Sequence, residues 1–233
     1  MRVLKKSYAR WAPKLSVLIN EKRIKFMTQI TLALTKGRVL NEVLPLLQTS
    51  GIRPEQEIKE SRKLIFNTNV KNLRLLILRG VDVPTYVQFG AADMGIAGKD
   101  ILLEDSGGGY YESLDLALAR CRLMTASLKD TNNVEGRTIV ATKYINVARK
   151  YYAQIGRQAE FVKLFGAMEL APALGLADEI VDIVDTGNTL RANGLVSKEL
   201  IANVSARLIV NKIAMKTKFE LIQAIIDRLK MVL

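Results

Sequence analysis

The chain of 233 residues is 49% hydrophobic and 25% charged, a balance typical of a globular protein and not of a disordered or repetitive one. Its single cysteine and lack of histidine exclude an internal disulfide framework, cysteine or histidine metal clusters, and catalysis by histidine. A reducing compartment, the cytoplasm, is therefore expected. The net charge of +12 suits an anionic partner, but residues 1–26 alone supply eight basic residues against one acid.

Residues 1–26, the basic leader, are interpreted separately from the rest of the chain. Apolar residues recur at helical spacing there but are interrupted by Pro13, which leaves three interpretations open. The leader could bind a membrane surface, bind a partner, or be absent from a protein whose translation starts at Met27. No run of residues is long and apolar enough to span a membrane, and we expect no membrane or nucleic-acid partner.

From residue 29 the chain alternates strand-like and helix-like segments, which predicts an α/β fold. The glycines at 107–109 favour a surface loop over a phosphate cradle, because the lysine and hydroxyl residue of a P-loop do not follow them. In the first half, strands are predicted at 29–35, 62–66, 73–79 and 91–97, with helices after residue 38, from Asp82 to Gly90, and after residue 99.

After the glycine loop the alternation restarts, which predicts a second α/β lobe. Lobe I is expected to comprise 27–117 and 214–233, and lobe II 118–213, with the ligand site in the cleft between them. In this half, strands are predicted near 121–126, 138–141, 160–164, 179–184 and 206–211, followed by a helix over 216–233.

The segment 179–190 carries the clearest chemical signal. An apolar strand is followed by the turn Thr186-Gly187-Asn188-Thr189 and a helix predicted to start near Leu190. Such a turn can aim backbone N–H groups and two hydroxyls at one point, and its glycine lets an anion approach the backbone closely. The pattern indicates a phosphate cradle.

Asp182 and Asp185 precede this turn, where acids would repel a phosphate unless they bind something else. Ribose hydroxyls or Mg²⁺ are such partners, so the combination suggests a phosphorylated ribose. The residues alone leave a second interpretation open, in which Asp182 points outward from a strand and Asp185 caps a helix.

A larger set of residues resembles the signature of the ATP phosphoribosyltransferases, the family that opens histidine biosynthesis. These residues are Glu169, Gly175, Ala177, Ile180, Asp182, Ile183, Thr186, Gly187, Thr189 and Leu190. Further segments resemble the family in order, at 34–38, 61–64, 78–84, 90–100, 142–144 and 192–195, so that the resemblance covers 28–233.

The resemblance implies two lobes of the type II periplasmic-binding-protein fold with the active site in the cleft. Because the helix at 216–233 ends the chain, we expect the short form, which has no C-terminal regulatory domain. This form is a catalytic subunit that depends on a separate subunit similar to histidyl-tRNA synthetase. A homodimer of the catalytic chain is also implied.

The implied reaction moves the 5-phosphoribosyl group of phosphoribosyl pyrophosphate to an adenine ring nitrogen of ATP. Both substrates are anionic, so the site must hold two polyphosphates and stabilise the departing pyrophosphate. Mg²⁺ is expected on the substrate pyrophosphate, with no metal site built from protein residues alone.

The resemblance assigns site residues as follows. Phosphoribosyl pyrophosphate would contact Glu169, Asp182, Asp185, Thr186, Gly187, Asn188 and Thr189. ATP or pyrophosphate would contact Lys36, Arg38, Arg62, Arg79 and Asp82, and the residues expected to be catalytic are Arg38, Arg62 and Asp182. Each basic residue could instead be a solvated surface charge, and Asp82 could simply cap its helix.

Two other functions are kept as alternatives. A purine or pyrimidine phosphoribosyltransferase also places an acid pair before a Thr-Gly turn, but would use a free base as acceptor. A non-catalytic sensor domain would share the two-lobed fold without turnover.

Overall fold

The computed structural model describes residues 29–58, 61–129 and 136–233. The basic leader and the alternative start at Met27 lie outside the described residues. The described residues form a mixed α/β structure with two sheets.

The strands, numbered in chain order, have the following bounds. They are Ile30–Thr35 (β1), Ile65–Asn67 (β2), Leu73–Leu78 (β3), Met94–Gly98 (β4), Tyr110–Asp115 (β5), Cys121–Leu128 (β6), Thr138–Thr142 (β7), Ala159–Lys163 (β8), Glu179–Val184 (β9), Leu195–Val204 (β10) and Ala206–Asn211 (β11).

The helices have bounds Arg38–Thr49 (α1), Val83–Gln88 (α2), Lys99–Glu104 (α3), Ile145–Gln154 (α4), Leu170–Ala173 (α5), Asn188–Ala192 (α6), Lys212–Thr217 (α7) and Phe219–Lys230 (α8). A 3₁₀ turn, Gly80–Asp82, precedes α2. Asp82 lies at the N-cap position of α2 but its side chain makes no capping hydrogen bond, so capping does not account for this residue.

The first sheet has the strand order β2-β3-β1-β4-β11-β5, with β1 parallel to β3 and β4. All six residues of β1 are buried, because α1 and α8 pack on one face of the sheet and α2 and α3 on the other. A parallel strand covered on both faces is expected to be continuously apolar in this way.

The second sheet has the order β10-β6-β9-β7-β8, with β9, β7 and β8 parallel to one another. Helix α4 packs on one face, and α5 and α6 pack on the other. Each sheet therefore has its own hydrophobic core.

The chain crosses between the sheets twice, between Asp115 and Cys121 and again at Ser205. Because β11 pairs with β4 and β5, the residues 206–211 belong to the first sheet. The expected end of lobe II at residue 213 places β11 in lobe II. The return crossing at Ser205 comes before it, because β11 belongs to the first sheet.

The largest differences from the sequence prediction concern two strands and the start of one helix. Strands β5 and β10 were not predicted, because they lie at sheet edges and carry many exposed polar residues that hide a period of two. The predicted helix over 216–233 is wrong at its start. A first helix, α7, begins at Lys212, where the Asn211 side chain accepts hydrogen bonds from the N–H groups of Ile213 and Ala214.

Candidate active site

Several of the predicted site residues follow the carboxyl ends of parallel strands, and they do so in both sheets. Lys36 and Arg38 follow β1, Arg79 follows β3, and the turn 185–189 follows β9. Since the carboxyl ends of parallel strands share one edge of a sheet, each sheet brings together residues that are distant in sequence, as ligand sites in open α/β sheets require.

An ion pair between Arg38 and Asp185 joins the two edges. Arg38 Nη1 donates to Asp185 Oδ2, and Nη2 donates to the carbonyl oxygens of Ala119 at 2.8 Å and Arg120 at 3.3 Å. Glu42, one turn along α1, accepts a 2.6 Å hydrogen bond from the Ala119 N–H. The start of α1, the first crossing and the end of β9 are therefore held together.

Asp182 lies in a more enclosed setting than Asp185. Its side chain is 20% exposed, and its Oδ1 atom is buried and makes no hydrogen bond with any described residue, although Lys143 Nζ lies 3.4 Å away. Burial raises the pKa of the Asp182 carboxyl, and the charge of Lys143 and the Ile183 N–H oppose that rise, while Glu169 adds to it.

This raised pKa makes a testable statement about stability. When the pKa of an acid is higher in the folded protein than in the unfolded chain, the free energy of unfolding decreases as the pH rises from the ordinary pKa of 3.8 through the raised pKa. Asp182→Asn removes the buried charge and leaves Lys143 partly solvated. We expect the variant to melt at a higher temperature than the unaltered chain at about pH 7 and to lose that advantage near pH 4. Thermal unfolding followed by circular dichroism at both pH values measures this, and an equal difference at both would contradict it.

The turn 186–189 is open to solvent and rich in polar groups. Gly187 has a φ of 74°, a left-handed conformation that favours glycine. The N–H groups of Thr186 and Gly187 donate no hydrogen bond to any described residue. The guanidinium of Arg191 folds over the turn, donating to the Thr186 carbonyl at 3.2 Å and to the Asn188 side chain. The turn thus presents free donors beside a positive charge.

Most of the remaining predicted site residues are exposed. Within the described part of the chain, Lys36, Arg62 and Arg79 are exposed and form no ion pair. Asp82 is also exposed, and Glu169 is half-buried near Asp182. The three cations are therefore available to an anionic ligand.

Two cavities lie where the sheets meet. One of about 530 Å³ is bounded by Arg79 and α3 on the side of the first sheet and by Lys143, Lys163 and Phe165 on the side of the second. The other, of about 490 Å³, lies against both chain crossings and is lined by residues including Asp115, Arg120, Arg122, Asp185 and Arg207. Both are lined by several cations.

Sequence reasoning missed two cations that contact the predicted site. Lys143 falls within a segment that resembles the family, but its pairing with Asp182 depends on the parallel pairing of β7 and β9. Arg191 follows Asn188 at a spacing of three residues, which places both on one face of a helix and could have indicated their contact.

No three histidine, cysteine, aspartate or glutamate residues lie together in a way that could hold a metal ion within residues 29–58, 61–129 and 136–233. In the same part of the chain, no helix has the length and apolarity needed to cross a membrane.

Comparisons with known proteins agree on one family. The family model described as HisG, ATP phosphoribosyltransferase, matches residues 79–231. An ATP phosphoribosyltransferase of Teredinibacter turnerae is 61% identical over 201 residues, covering 86% of this chain and 94% of that protein, and one of Saccharophagus degradans matches equally well. The solved ATP phosphoribosyl transferase (HisG:HisZ) complex from Thermotoga maritima has a chain that superposes with a TM-score of 0.77 and 32% identity, covering 88% of this chain and 98% of that one.

These relatives place the chain among the phosphoribosyl-transferring enzymes. It belongs to the ATP phosphoribosyltransferase family, whose reaction is the first step of histidine biosynthesis. The curated relatives are of similar length to this chain, as expected for the short form. The purine or pyrimidine phosphoribosyltransferase and the non-catalytic sensor are not favoured.

Proposed function

We propose that the chain transfers the 5-phosphoribosyl group of phosphoribosyl pyrophosphate to an adenine ring nitrogen of ATP in a cleft between the two sheets. The observation that carries this proposal is the meeting of the acid pair and turn after β9 with cations that follow strands of the first sheet. The two sheets are then the two lobes of a type II periplasmic-binding-protein fold.

The turn after β9 is proposed to bind the ribose 5-phosphate. The unpartnered N–H groups of Thr186 and Gly187, with the side chains of Asn188 and Thr189, suit the oxygens of a phosphate. Asp182 and Asp185 are proposed to accept hydrogen bonds from the ribose hydroxyls, and Glu169 lies close enough to Asp182 to influence it. Arg191 adds positive charge beside the phosphate.

The cations of the first sheet are proposed to bind the pyrophosphate and ATP. Transfer separates an anionic pyrophosphate from a sugar that becomes cationic, so fixed positive charge on the leaving group stabilises the transition state. Arg38 and Arg62 are proposed to act on that leaving group, and Lys36 and Arg79 on phosphates. Asp82, which makes no capping bond, is proposed to contact the adenine.

Mg²⁺ is proposed to reach the site on the substrate pyrophosphate. Asp182 and Asp185 offer hard oxygen atoms of the kind this ion prefers, but each faces its own cation and the two belong to no cluster of three acids in the described residues. These residues therefore fit a metal brought by the substrate better than one held by the protein alone.

The assembly is proposed from the relatives. The solved Thermotoga maritima protein is a HisG:HisZ complex, which supports a regulatory partner similar to histidyl-tRNA synthetase for this chain. We also propose that the catalytic chain forms a homodimer and acts in the cytoplasm, consistent with its single half-buried cysteine, Cys121.

The ribose assignment is tested with Asp182→Asn and Asp185→Asn in the full chain, assayed by pyrophosphate release with Mg²⁺, ATP and phosphoribosyl pyrophosphate. Each variant is expected to raise the KM for phosphoribosyl pyrophosphate or lower kcat by about tenfold or more, because a carboxylate acceptor is lost. Asp227→Asn, an exposed acid on α8, is the matched control. Unchanged kinetics in both site variants would contradict the proposed contact with the ribose hydroxyls. Pyrophosphate release when adenine replaces ATP would contradict ATP as the acceptor.

A further inference from the structure

Lys143 contacts a proposed site residue, Asp182, but has no role in the function proposed above. Its Nζ atom lies 3.4 Å from Asp182 Oδ1, the buried carboxylate oxygen that makes no hydrogen bond. The side chain of Lys143 is 36% exposed and borders the cavity of about 530 Å³ between the sheets. It therefore connects an enclosed acid with a solvent-accessible cavity.

The neighbours of Lys143 hold it in this place. Thr142 is fully buried, and its hydroxyl donates a 2.6 Å hydrogen bond to the Val181 carbonyl of β9 and accepts one from the Tyr144 N–H. The Tyr144 hydroxyl donates a 2.6 Å hydrogen bond to Oδ2 of Asp100 in α3, the helix that packs on the first sheet. Lys143 Nζ lies 4.8 Å from the centre of the Tyr144 ring, a cation–π contact. The hydrogen bonds of Thr142 and Tyr144 therefore fix the position of the Lys143 ammonium beside Asp182.

We propose that Lys143 is a positioning residue for phosphoribosyl transfer, which keeps the Asp182 carboxylate charged and directed toward the ribose hydroxyls until the sugar binds. The inference rests on the ribose contact proposed for Asp182. Lys143 acts through that carboxylate: its Nζ faces the buried Oδ1, which leaves Oδ2 to accept the hydrogen bonds of the sugar hydroxyls.

The charges around Asp182 explain why such a residue is needed. Burial and the negative charge of Glu169 both raise the pKa of the Asp182 carboxyl, whereas Lys143 and the Ile183 N–H lower it. Without the ammonium, burial and Glu169 favour the protonated carboxyl. A protonated carboxyl loses part of its capacity to accept hydrogen bonds from ribose hydroxyls.

The test measures kcat/KM for phosphoribosyl pyrophosphate against pH in the full chain. Lys143→Met keeps the stem over Tyr144 but removes the charge, and it is expected to lose about tenfold on the acid side of the profile and less than about threefold on the alkaline side. Lys143→Arg is expected to restore the profile. Lys163→Met is the matched control, because Lys163 borders the same cavity but faces Phe165 instead of Asp182.

Binding supplies a second readout that a purely structural role would not change. Calorimetry of phosphoribosyl pyrophosphate binding in two buffers of different ionisation enthalpy reports the protons released. Lys143→Met is expected to release more protons than the unaltered chain, since Asp182 must ionise on binding. Lys143→Gln, checked for folding by its melting temperature, repeats both measurements.

The outcomes separate the inference from the function on which it rests. An equal loss at all pH values, or no change in proton release, would overturn the positioning role and make Lys143 a direct ligand or a surface charge. If Asp182→Asn leaves both KM for phosphoribosyl pyrophosphate and kcat unchanged, the proposed ribose contact of Asp182 itself fails. If Asp182→Asn is impaired while Lys143→Met keeps the unaltered profile, only the inference fails.

Discussion

Replacing Arg38 with alanine is expected to lower kcat/KM for phosphoribosyl pyrophosphate by more than tenfold, which corresponds to more than about 1.4 kcal/mol of transition-state stabilisation. Arg38 is the first residue of α1, and its guanidinium donates hydrogen bonds to Asp185 and to carbonyl oxygens of the first crossing. Its removal takes a fixed positive charge from the proposed pyrophosphate position and also releases Asp185. Pyrophosphate release measured with the full chain reports the loss.

Three variants separate a catalytic effect of Arg38 from a structural one. Arg38→Lys keeps the charge but loses the two-pronged geometry, so an intermediate rate is expected. Arg62→Ala is expected to lose more than tenfold as well, and since Arg62 forms no ion pair with any described residue, its loss should leave the melting temperature unchanged. Arg53→Ala is the matched control, because Arg53 is exposed and its hydrogen bonds to described residues are made by its backbone N–H and carbonyl groups. A folded Arg38→Ala variant with unaltered kinetics would contradict the proposed catalytic role of Arg38.

Replacing Lys218 with methionine is expected to lower the free energy of unfolding by about 3–5 kcal/mol. Lys218 Nζ donates to Asp93 Oδ1 at 2.7 Å and to the Gln29 carbonyl at 2.8 Å, and the side chains are only 4% and 10% exposed. Asp93 Oδ2 also accepts from the Thr31 N–H. The variant leaves a buried carboxylate without its cation, and chemical denaturation measures the cost.

Two comparisons test whether burial causes that cost. The double variant Asp93→Leu with Lys218→Met removes both charges and is expected to recover part of the lost stability. Arg137 and Glu160 form an exposed pair at 3.0 Å, and Arg137→Met is expected to change the free energy of unfolding by less than about 1 kcal/mol. Similar losses for Arg137→Met and Lys218→Met would contradict the argument from burial.

The elements that the sequence predicted well are those with a strong local pattern. The strands β1, β3 and β9 consist mostly of apolar residues, and α1 repeats apolar residues every three to four positions. The edge strands β5 and β10 lack such a pattern, because one edge of each strand has no partner strand and their side chains remain largely exposed. Local sequence patterns therefore identified the core strands and the edge strands β2 and β8, but missed the more polar edge strands β5 and β10.

The family resemblance and the turn proposed to bind phosphate could both be identified from the sequence alone, since the residues 182–190 are contiguous and their chemistry is local. The tertiary structure decided which charges meet. Arg38 and Asp185 are 147 positions apart, and Lys143 reaches Asp182 because β7 and β9 pair in parallel. Periodicity and residue type describe a side chain's own element, whereas a contact between elements depends on sheet order and register, which many distant residues set together.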